Sequence, residues 1–220
     1  MGRRRPLTGL VAPALAAGAG AAGAVAVRRR TGRPAPPPPA AFSPLGPRIV
    51  VGGVAGAGKT TIARLLAERR GVPHVELDAF AHQPGWQMAA DADFRAAVSA
   101  AIAAGAWVVD GNYPLVRDLV WARATTFVWL DPPRGVATWR AVCRTIPRVV
   151  RRTELWNGNR EEWRNILDPG HPIWWSWTHH PTSRATYERL VADPAYAHVR
   201  VTRLRTQAET AAFLRYAAEP

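Results

Sequence analysis

Residues 48–61 read RIVVGGVAGAGKTT, and this stretch decides the fold. A short apolar, β-branched run enters a glycine-rich turn in which Gly53, Gly58, Lys59 and Thr60 fall on the spacing G-x-x-x-x-G-K-[ST]. The glycines of this turn allow backbone angles that are closed to other residues, so that successive N–H groups can turn inward around an anion. The pattern predicts a phosphate-binding loop, and the alternative is a chance match in a Gly- and Ala-rich chain.

The residue types of the loop predict a bound nucleoside triphosphate and magnesium. The Lys59 ammonium is expected to reach the β- and γ-phosphates, and the Thr60 hydroxyl to bind Mg²⁺. An amphipathic helix follows, and its N-terminal dipole favours the phosphates. Lys59 is the single lysine beside 28 arginines, and a planar guanidinium does not replace a compact ammonium. The predicted nucleotide-binding residues of the loop are Gly53, Val54, Ala55, Gly56, Ala57, Gly58, Lys59, Thr60 and Thr61.

The basic charge of the chain is concentrated at its N-terminus. Of the net charge of +13, residues 1–48 contribute eight arginines and no acid, which leaves 21 basic and 16 acidic residues in 49–220. A chain of 220 residues suits one domain with an appendage. The single cysteine, Cys143, excludes an internal disulfide framework and agrees with a reducing compartment, and we expect it to fill a small apolar site. Together with the ATP requirement, this predicts a cytoplasmic protein.

Residues 1–47 have three interpretations. The favoured one is a disordered, low-complexity Arg/Ala/Pro-rich tail or an over-extended translation start, with the proline run as an extended linker. A signal peptide is the second, with possible cleavage sites at residues 22–24 and 24–26. A membrane anchor over residues 7–27 is the third, but its alanines and glycines supply little apolar driving force, and arginine triplets flank both ends. We therefore expect no membrane partner.

The rest of the chain alternates apolar strand patterns with helical ones. Strands are predicted at 49–51, 73–77, 107–110, 126–130 and 198–202. Helices are predicted after the loop and at 91–104, 115–121, 135–152, 182–191 and 208–217. This order predicts an α/β protein with a five-stranded parallel sheet covered on both faces, a three-layer fold of the P-loop NTPase type. Residues 145–185 are predicted to form an irregular lid rich in Trp and Arg.

Three aspartates, Asp78, Asp110 and Asp131, each end a predicted strand. In a parallel sheet ligands gather beyond the carboxyl ends of the strands, so all three are expected to face the phosphate loop. Asp110 is the best candidate to hold Mg²⁺ opposite Thr60, although an aspartate in Asp-Gly-Asn is often a plain turn residue. Asp131, which precedes two prolines, is more typical of a turn or cap.

The loop after the second strand is predicted to hold the phosphoryl acceptor. Asp78 could orient or deprotonate an acceptor hydroxyl, with His82 and Trp86 shaping the pocket. Trp86 covering the core is the alternative. The acceptor is expected to be a small molecule.

The arginines at positions 140, 144, 148, 151 and 152 recur at helical spacing. A solvated face is the ordinary explanation, but guanidinium groups also clamp phosphate oxygens and stabilise transition-state charge, so we expect at least two in the site. The tryptophan-rich segment 153–181 is either a mobile lid that excludes water or a packed irregular subdomain. Zinc binding by His171, His179 and His180 is disfavoured because no cysteine is nearby.

From Arg48 onward the chain resembles the DNA topology modulation protein family, a branch of the adenylate-kinase-like P-loop kinases. The resembling segments are GGVAGAGKTT, LDAFAHQPGW, WVVDGNY, FVWLDPPRGVATWR, TELWNGNRE and VTRL. The resemblance to nucleoside monophosphate kinases implies that Asp110 is the metal-water aspartate, that Arg140 lies near the adenine and that Arg144 lies near the phosphates. It also implies nucleotide contact by Arg203 in VTRL. It departs at Asn112-Tyr113-Pro114, which replaces a substrate-binding Phe-Pro-Arg, so Asn112 is assigned to an acceptor that need not be a nucleoside monophosphate.

These inferences predict an ATP- and Mg²⁺-dependent small-molecule kinase domain over residues 48–220. Its predicted catalytic residues are Lys59, Asp78, Arg140 and Arg144. The alternatives are an ATPase and a nucleotide-binding regulatory protein that contacts nucleic acid through the basic tail.

Overall fold

The computed structural model describes residues 42–218, which contain one five-stranded, all-parallel sheet with the strand order β2-β3-β1-β4-β5. The strands are β1 (Arg48–Gly53), β2 (His74–Glu76), β3 (Trp107–Asp110), β4 (Thr126–Leu130) and β5 (Arg200–Leu204). Helices cover both faces of the sheet. The predicted fold class is confirmed, and the central strand β1 leads directly into the predicted phosphate-binding loop.

Eight α-helices lie within the described residues. They are α1 (Lys59–Arg70), α2 (Leu77–Ala81), α3 (Asp91–Ala101), α4 (Arg117–Arg123), α5 (Arg134–Val150), α6 (Pro172–Thr178), α7 (His180–Ala192) and α8 (Gln207–Tyr216). Short 3₁₀ turns include Pro84–Trp86, Trp156–Gly158 and Trp163–Leu167. The sheet places the ends of β2, β3 and β1 side by side, which creates the edge where the candidate site lies.

The apolar residues of β1 explain why helices cover both sides of the sheet. Ile49, Val50 and Val51 are fully buried, and successive side chains of a strand point to opposite faces. Val50 accordingly belongs to one core cluster with Phe127, whereas Ile49 and Val51 belong to the other with Leu66. A strand buried on both faces needs a continuous apolar run, which is the pattern that the sequence shows.

The structure corrects the sequence prediction at several elements. The segment predicted as irregular contains α6, because Pro172 occupies its first turn and the His171 side chain caps it by accepting a hydrogen bond from the Ile173 N–H. A helix, α2, replaces part of the loop predicted after the second strand. Strand β5 begins two residues later than predicted, at Arg200. Cys143 is exposed on α5, so its predicted role as an apolar filler is wrong.

Residues 42–47, which the sequence analysis assigned to the tail, contact the core. Phe42 packs against Phe213 and Tyr216 of α8, with ring centroids 5.5 Å and 5.6 Å away. The Gly46 N–H donates a hydrogen bond to Thr126 Oγ1 at 2.9 Å. The predictions for residues 1–41, including the segment 7–27, lie outside the described residues. Within residues 42–218 no helix is long and apolar enough to cross a membrane.

Candidate active site

The loop between β1 and α1 has an anion-binding backbone geometry. Gly56 and Gly58 adopt positive φ values of 78° and 100°. A Cβ atom on Gly56 would lie 2.0 Å from the Ala137 carbonyl oxygen of α5, so the loop approaches that helix too closely for any side chain. Within residues 42–218, the N–H groups of Ala55, Gly56 and Gly58 have no protein acceptor. These donors, together with the N-terminus of α1, form a cradle for phosphate oxygens.

Lys59 and Asp110 lie beside this cradle. Lys59 Nζ donates to the Val54 carbonyl oxygen at 3.3 Å, a contact that a bound phosphate can replace. Asp110 ends β3 and is only 4 % exposed. Burial raises the pKa of its carboxyl group, and the nearby Lys59 ammonium and Thr60 hydroxyl act against that rise. The phosphate-binding loop and the end of β3 therefore form one charged centre.

The arrangement of Asp110 and Thr60 fits a magnesium ion. Asp110 Oδ1 is buried and has no hydrogen-bond partner among the described residues. An unpartnered carboxylate oxygen beside a hydroxyl offers the hard oxygen ligands that Mg²⁺ prefers. A buried, unpartnered carboxylate oxygen is costly unless a ligand satisfies it. These two side chains would hold the ion next to the phosphates.

Asp78 lies across the cavity at the start of α2. The Tyr113 hydroxyl donates a hydrogen bond to Asp78 Oδ1 at 2.6 Å. Burial, followed by the charge of Asp78, raises the pKa of Tyr113, so the phenol keeps its hydrogen and remains a donor. The hydrogen bond fixes one carboxylate oxygen and leaves Oδ2 available for a ligand hydroxyl.

One cavity of about 930 Å³ connects these groups. Many of the residues predicted from the sequence line it, namely Gly53, Val54, Ala55, Lys59, Thr60, Asp78, His82, Trp86, Asn112 and Arg144. The remaining loop positions, Gly56, Ala57, Gly58 and Thr61, continue the same loop into α1. The carboxyl edge of the sheet thus brings together most of the predicted site.

Three predicted residues outside the loop are not in the cavity wall. Asp110 is buried, and its chain neighbour Gly111 lines the wall. Arg140 is half-buried on α5. Arg203 donates to Asp131 Oδ2 at 2.6 Å, and its guanidinium lies 3.8 Å from the centre of the Trp129 ring. Asp131 is thereby held by β5 and does not face the phosphate loop. Nucleotide binding by Arg140 and Arg203 stays a prediction.

Helix α5 contributes two arginines, Arg144 and Arg148, to the cavity wall. Arg148 pairs with Glu161 at 3.4 Å, whereas Arg144 forms no ion pair within residues 42–218. The Arg144 side chain is surrounded by protein atoms but remains exposed to the cavity. Desolvation, and then the neighbouring Arg148, lower its pKa. An arginine in this position remains charged and can neutralise an anionic ligand.

Residues 156–159, within the predicted lid segment 145–185, contact the loop that follows Asp78. Asn159 Oδ1 accepts from the Trp86 N–H and its Nδ2 donates to the Gln83 carbonyl, both at 2.9 Å. Trp156 stacks on His82 with ring centroids 5.8 Å apart. The sequence segments LDAFAHQPGW and TELWNGNRE are therefore two halves of one hydrogen-bonded wall.

Sequence analysis missed several residues of the cavity. Tyr113, Arg117, Glu161, His171 and Tyr187 all line it. Tyr113 and Glu161 lay within quoted segments, WVVDGNY and TELWNGNRE, and His171 was considered only as a zinc ligand. Arg117 and Tyr187 come from α4 and α7, and no local pattern distinguishes them from ordinary helix residues.

The three histidines considered for zinc have separate partners. His180 Nε2 lies 2.9 Å from the Pro132 carbonyl oxygen, His179 stacks on Trp175 at 3.5 Å between ring centroids, and His171 caps α6. No group of three metal-ligating residues occurs among residues 42–218. The described residues give no support to the zinc alternative.

Solved structures similar to this chain include three small-molecule kinases. A gluconokinase from Sinorhizobium meliloti has 23 % identity and a TM-score of 0.45, with 80 % of this chain and 91 % of that chain covered. A sugar kinase from a Janibacter species has 25 % identity, a TM-score of 0.42 and coverages of 74 % and 87 %. A shikimate kinase from Acinetobacter baumannii, solved with shikimate, has 19 % identity, a TM-score of 0.40 and coverages of 80 % and 93 %.

No family model and no curated protein matches the chain. The resemblance to the DNA topology modulation family therefore stays a prediction.

Proposed function

We propose that this protein is an ATP- and Mg²⁺-dependent kinase that transfers the γ-phosphoryl group to a hydroxyl of a small molecule. One observation carries the proposal: a phosphate cradle beside Lys59 and a Tyr113-oriented carboxylate, Asp78, open into the same cavity. Phosphoryl transfer needs little covalent chemistry from the protein. It requires positioning of both reactants and neutralisation of the transferring group.

The loop side of the cavity would bind the triphosphate. The unpartnered N–H groups of the loop donate to phosphate oxygens, and Lys59 leaves the Val54 carbonyl to contact the β- and γ-phosphates. Thr60 and Asp110 hold Mg²⁺, which supplies charge neutralisation at the β- and γ-phosphates. Arg144 adds a positive charge on the lid side. We include Arg140 near the adenine and Arg203 as a nucleotide contact as finer parts of this proposal, supported by the family resemblance alone.

The Asp78 side would bind the acceptor. With Oδ1 engaged by Tyr113, Asp78 Oδ2 accepts the hydrogen of the acceptor hydroxyl and aims its oxygen at the γ-phosphorus. His82, Trp86 and Asn112 line this half and shape the acceptor pocket. The lid excludes water, so that transfer to the acceptor is favoured over hydrolysis. An ATPase activity without acceptor remains the alternative.

A coupled ATP-consumption assay over hydroxyl compounds, run with Asp78→Asn, tests the proposal. At least one sugar, sugar acid, nucleoside or nucleotide should accelerate ATP consumption, and Asp78→Asn should lower kcat about 100-fold or more. Asp93→Asn is the matched control, because Asp93 is exposed on α3 and does not line the cavity. Equal rates with and without every acceptor would contradict transfer and favour the ATPase alternative.

A further inference from the structure

Two buried polar groups in the cavity wall have no role in the proposed transfer. Glu161 is 7 % exposed and His171 is 6 % exposed, and both line the cavity. Glu161 Oε2 and His171 Nε2 have no hydrogen-bond partner among the described residues. A buried donor or acceptor without a partner is costly, so such atoms indicate a ligand group or a bound water.

The hydrogen bond at Nδ1 fixes what His171 offers to a ligand. Nδ1 accepts from the Ile173 N–H at 3.3 Å and therefore carries the lone pair. In the neutral ring the hydrogen then lies on Nε2, which is a donor. Burial lowers the pKa of His171, which favours this neutral form.

Glu161 offers the complementary acceptor. Its Oε1 accepts from Arg148 at 3.4 Å in an ion pair. Oε2 is left as an acceptor with no donor. The wall thus presents one neutral donor and one anionic acceptor, and the charge of Glu161 acts on the His171 ring.

The chemistry of His171 Nε2 and Glu161 Oε2 favours one kind of ligand group over others. A carboxylate or phosphate would accept from His171 but would be repelled by Glu161. An ammonium group would suit Glu161 but would leave the His171 donor unsatisfied. A hydroxyl group accepts from Nε2–H and donates to Oε2 at the same time.

Glu161 is anchored to the acceptor side of the cavity. Asn159 and Arg160 directly precede it, and they bind the loop of Trp86: Asn159 as described above, and Arg160 through its carbonyl oxygen, which accepts from Trp86 Nε1 at 3.2 Å. The charges of both Glu161 and Asp78 act on Arg144. Asp78, Glu161 and His171 all line the same cavity, so a ligand in this cavity has access to all three.

We propose that Glu161 and His171 bind a second hydroxyl group of the acceptor, so that the acceptor is a polyhydroxy compound. This inference rests on the proposed function for the identity of the ligand as acceptor. The ribose of ATP is the other possible source of a hydroxyl, and the test separates the two.

The test follows the His171 imidazole directly. The full-length protein with ¹⁵N-labelled histidine is titrated, in the presence of Mg²⁺ and a non-hydrolysable ATP analogue, with D-gluconate, D-ribose, D-glucose, shikimate and glycerol. We expect at least one of these probes to shift the His171 signals. Glu161→Gln and His171→Asn should weaken its binding about 10-fold, as expected for loss of one hydrogen bond to a charged or buried group.

Both variants have matched controls. His171→Asn retains a side chain that can cap α6, so loss of binding with unchanged melting temperature reports the lost donor. Glu162→Gln changes the adjacent, half-exposed carboxylate, which pairs with Arg164 at 2.6 Å, and should leave binding unchanged.

Each outcome of this titration either supports or overturns the inference. No probe shifting His171, although the ATP analogue binds, would mean that a water satisfies the pair and would overturn the inference. Weaker binding of the ATP analogue in both variants, with probe binding unchanged, would assign the pair to ribose and also overturn it. A probe that shifts the His171 signals and binds more weakly to Glu161→Gln, yet is never phosphorylated, would uphold the polyhydroxy site and contradict the proposed kinase activity.

Discussion

Tyr113 donates its hydroxyl hydrogen to Asp78 across the ends of β3 and β2, with 2.6 Å between the two oxygens. We predict that Tyr113→Phe lowers kcat for phosphoryl transfer about 10-fold, because the carboxylate loses the donor that orients it. The KM for MgATP should not change. Steady-state kinetics checks this, with Tyr196→Phe as control because Tyr196 does not line the cavity and packs on Trp121 with ring centroids 5.3 Å apart. A larger effect on the KM for MgATP than on kcat would contradict an orienting role.

Gly56→Ala should abolish MgATP binding. The new methyl group would meet the Ala137 carbonyl oxygen at 2.0 Å, and the positive φ adds strain, so we expect about 2–5 kcal/mol of destabilisation. Calorimetric titration and thermal melting measure the two effects. Gly71→Ala is the control, because Gly71 has a φ of 62° but no atom within 4 Å of the new methyl group. It should cost about 1 kcal/mol and leave binding intact. Normal MgATP affinity in Gly56→Ala would contradict the cradle.

Asp110 should lower the free energy of unfolding at neutral pH, although we propose that it binds the metal ion. Burial raises its pKa, so the folded state holds a proton more tightly than the unfolded state, and stability falls as pH rises from the unfolded pKa through the raised folded one. We predict that Asp110→Asn melts at a higher temperature than the parent at pH 7 without Mg²⁺, that this gain shrinks on acidification, and that Mg²⁺-dependent ATP binding is lost.

Asp118 is the control, because its pKa is shifted in the opposite direction to that of Asp110. Its hydrogen bond with Arg95 lowers the pKa of Asp118 to about 2, so its stabilisation is present above the unfolded pKa and is lost as pH falls toward 2. Asp118→Asn should therefore lower the melting temperature slightly at pH 7 and have no effect near pH 2. An Asp110→Asn protein that melts below the parent at pH 7 would contradict the desolvation argument.

Asn159→Ala should loosen the acceptor loop. The side chain is 4 % exposed and holds the Trp86 N–H and the Gln83 carbonyl, so its removal leaves two part-buried groups without these partners. Hydrogen exchange of the Trp86 amide should accelerate about 10-fold or more, and the KM for the acceptor should rise. Amides of α1 serve as the internal reference. Unchanged exchange at Trp86 would contradict the anchoring role of Asn159.

The parts of the site predicted from sequence are those with local signals. Lys59 and Thr60 follow from a fixed spacing, and Asp110 follows from a buried strand that ends in a polar turn. The ion pair of Arg203 could not be predicted from the sequence, because its partner, Asp131, lies 72 residues away and meets it only when β4 and β5 pair. Glu161 and His171 are polar residues in a segment without periodicity. Only the packing of α6 against α5 and of the lid against the Trp86 loop reveals that they are buried.

The phenol of Tyr187 accepts a hydrogen bond from the Gly53 N–H at 3.0 Å, so α7 contacts the first residue of the predicted phosphate-binding loop. Helix α7 begins at His180, within the predicted lid segment 145–185. A shift of α7 that breaks this bond would change the free energy of the loop, and the coupling would be reciprocal. If the proposed nucleotide binds this loop, the factor by which a shift of α7 changes nucleotide affinity equals the factor by which the nucleotide changes the equilibrium of that shift.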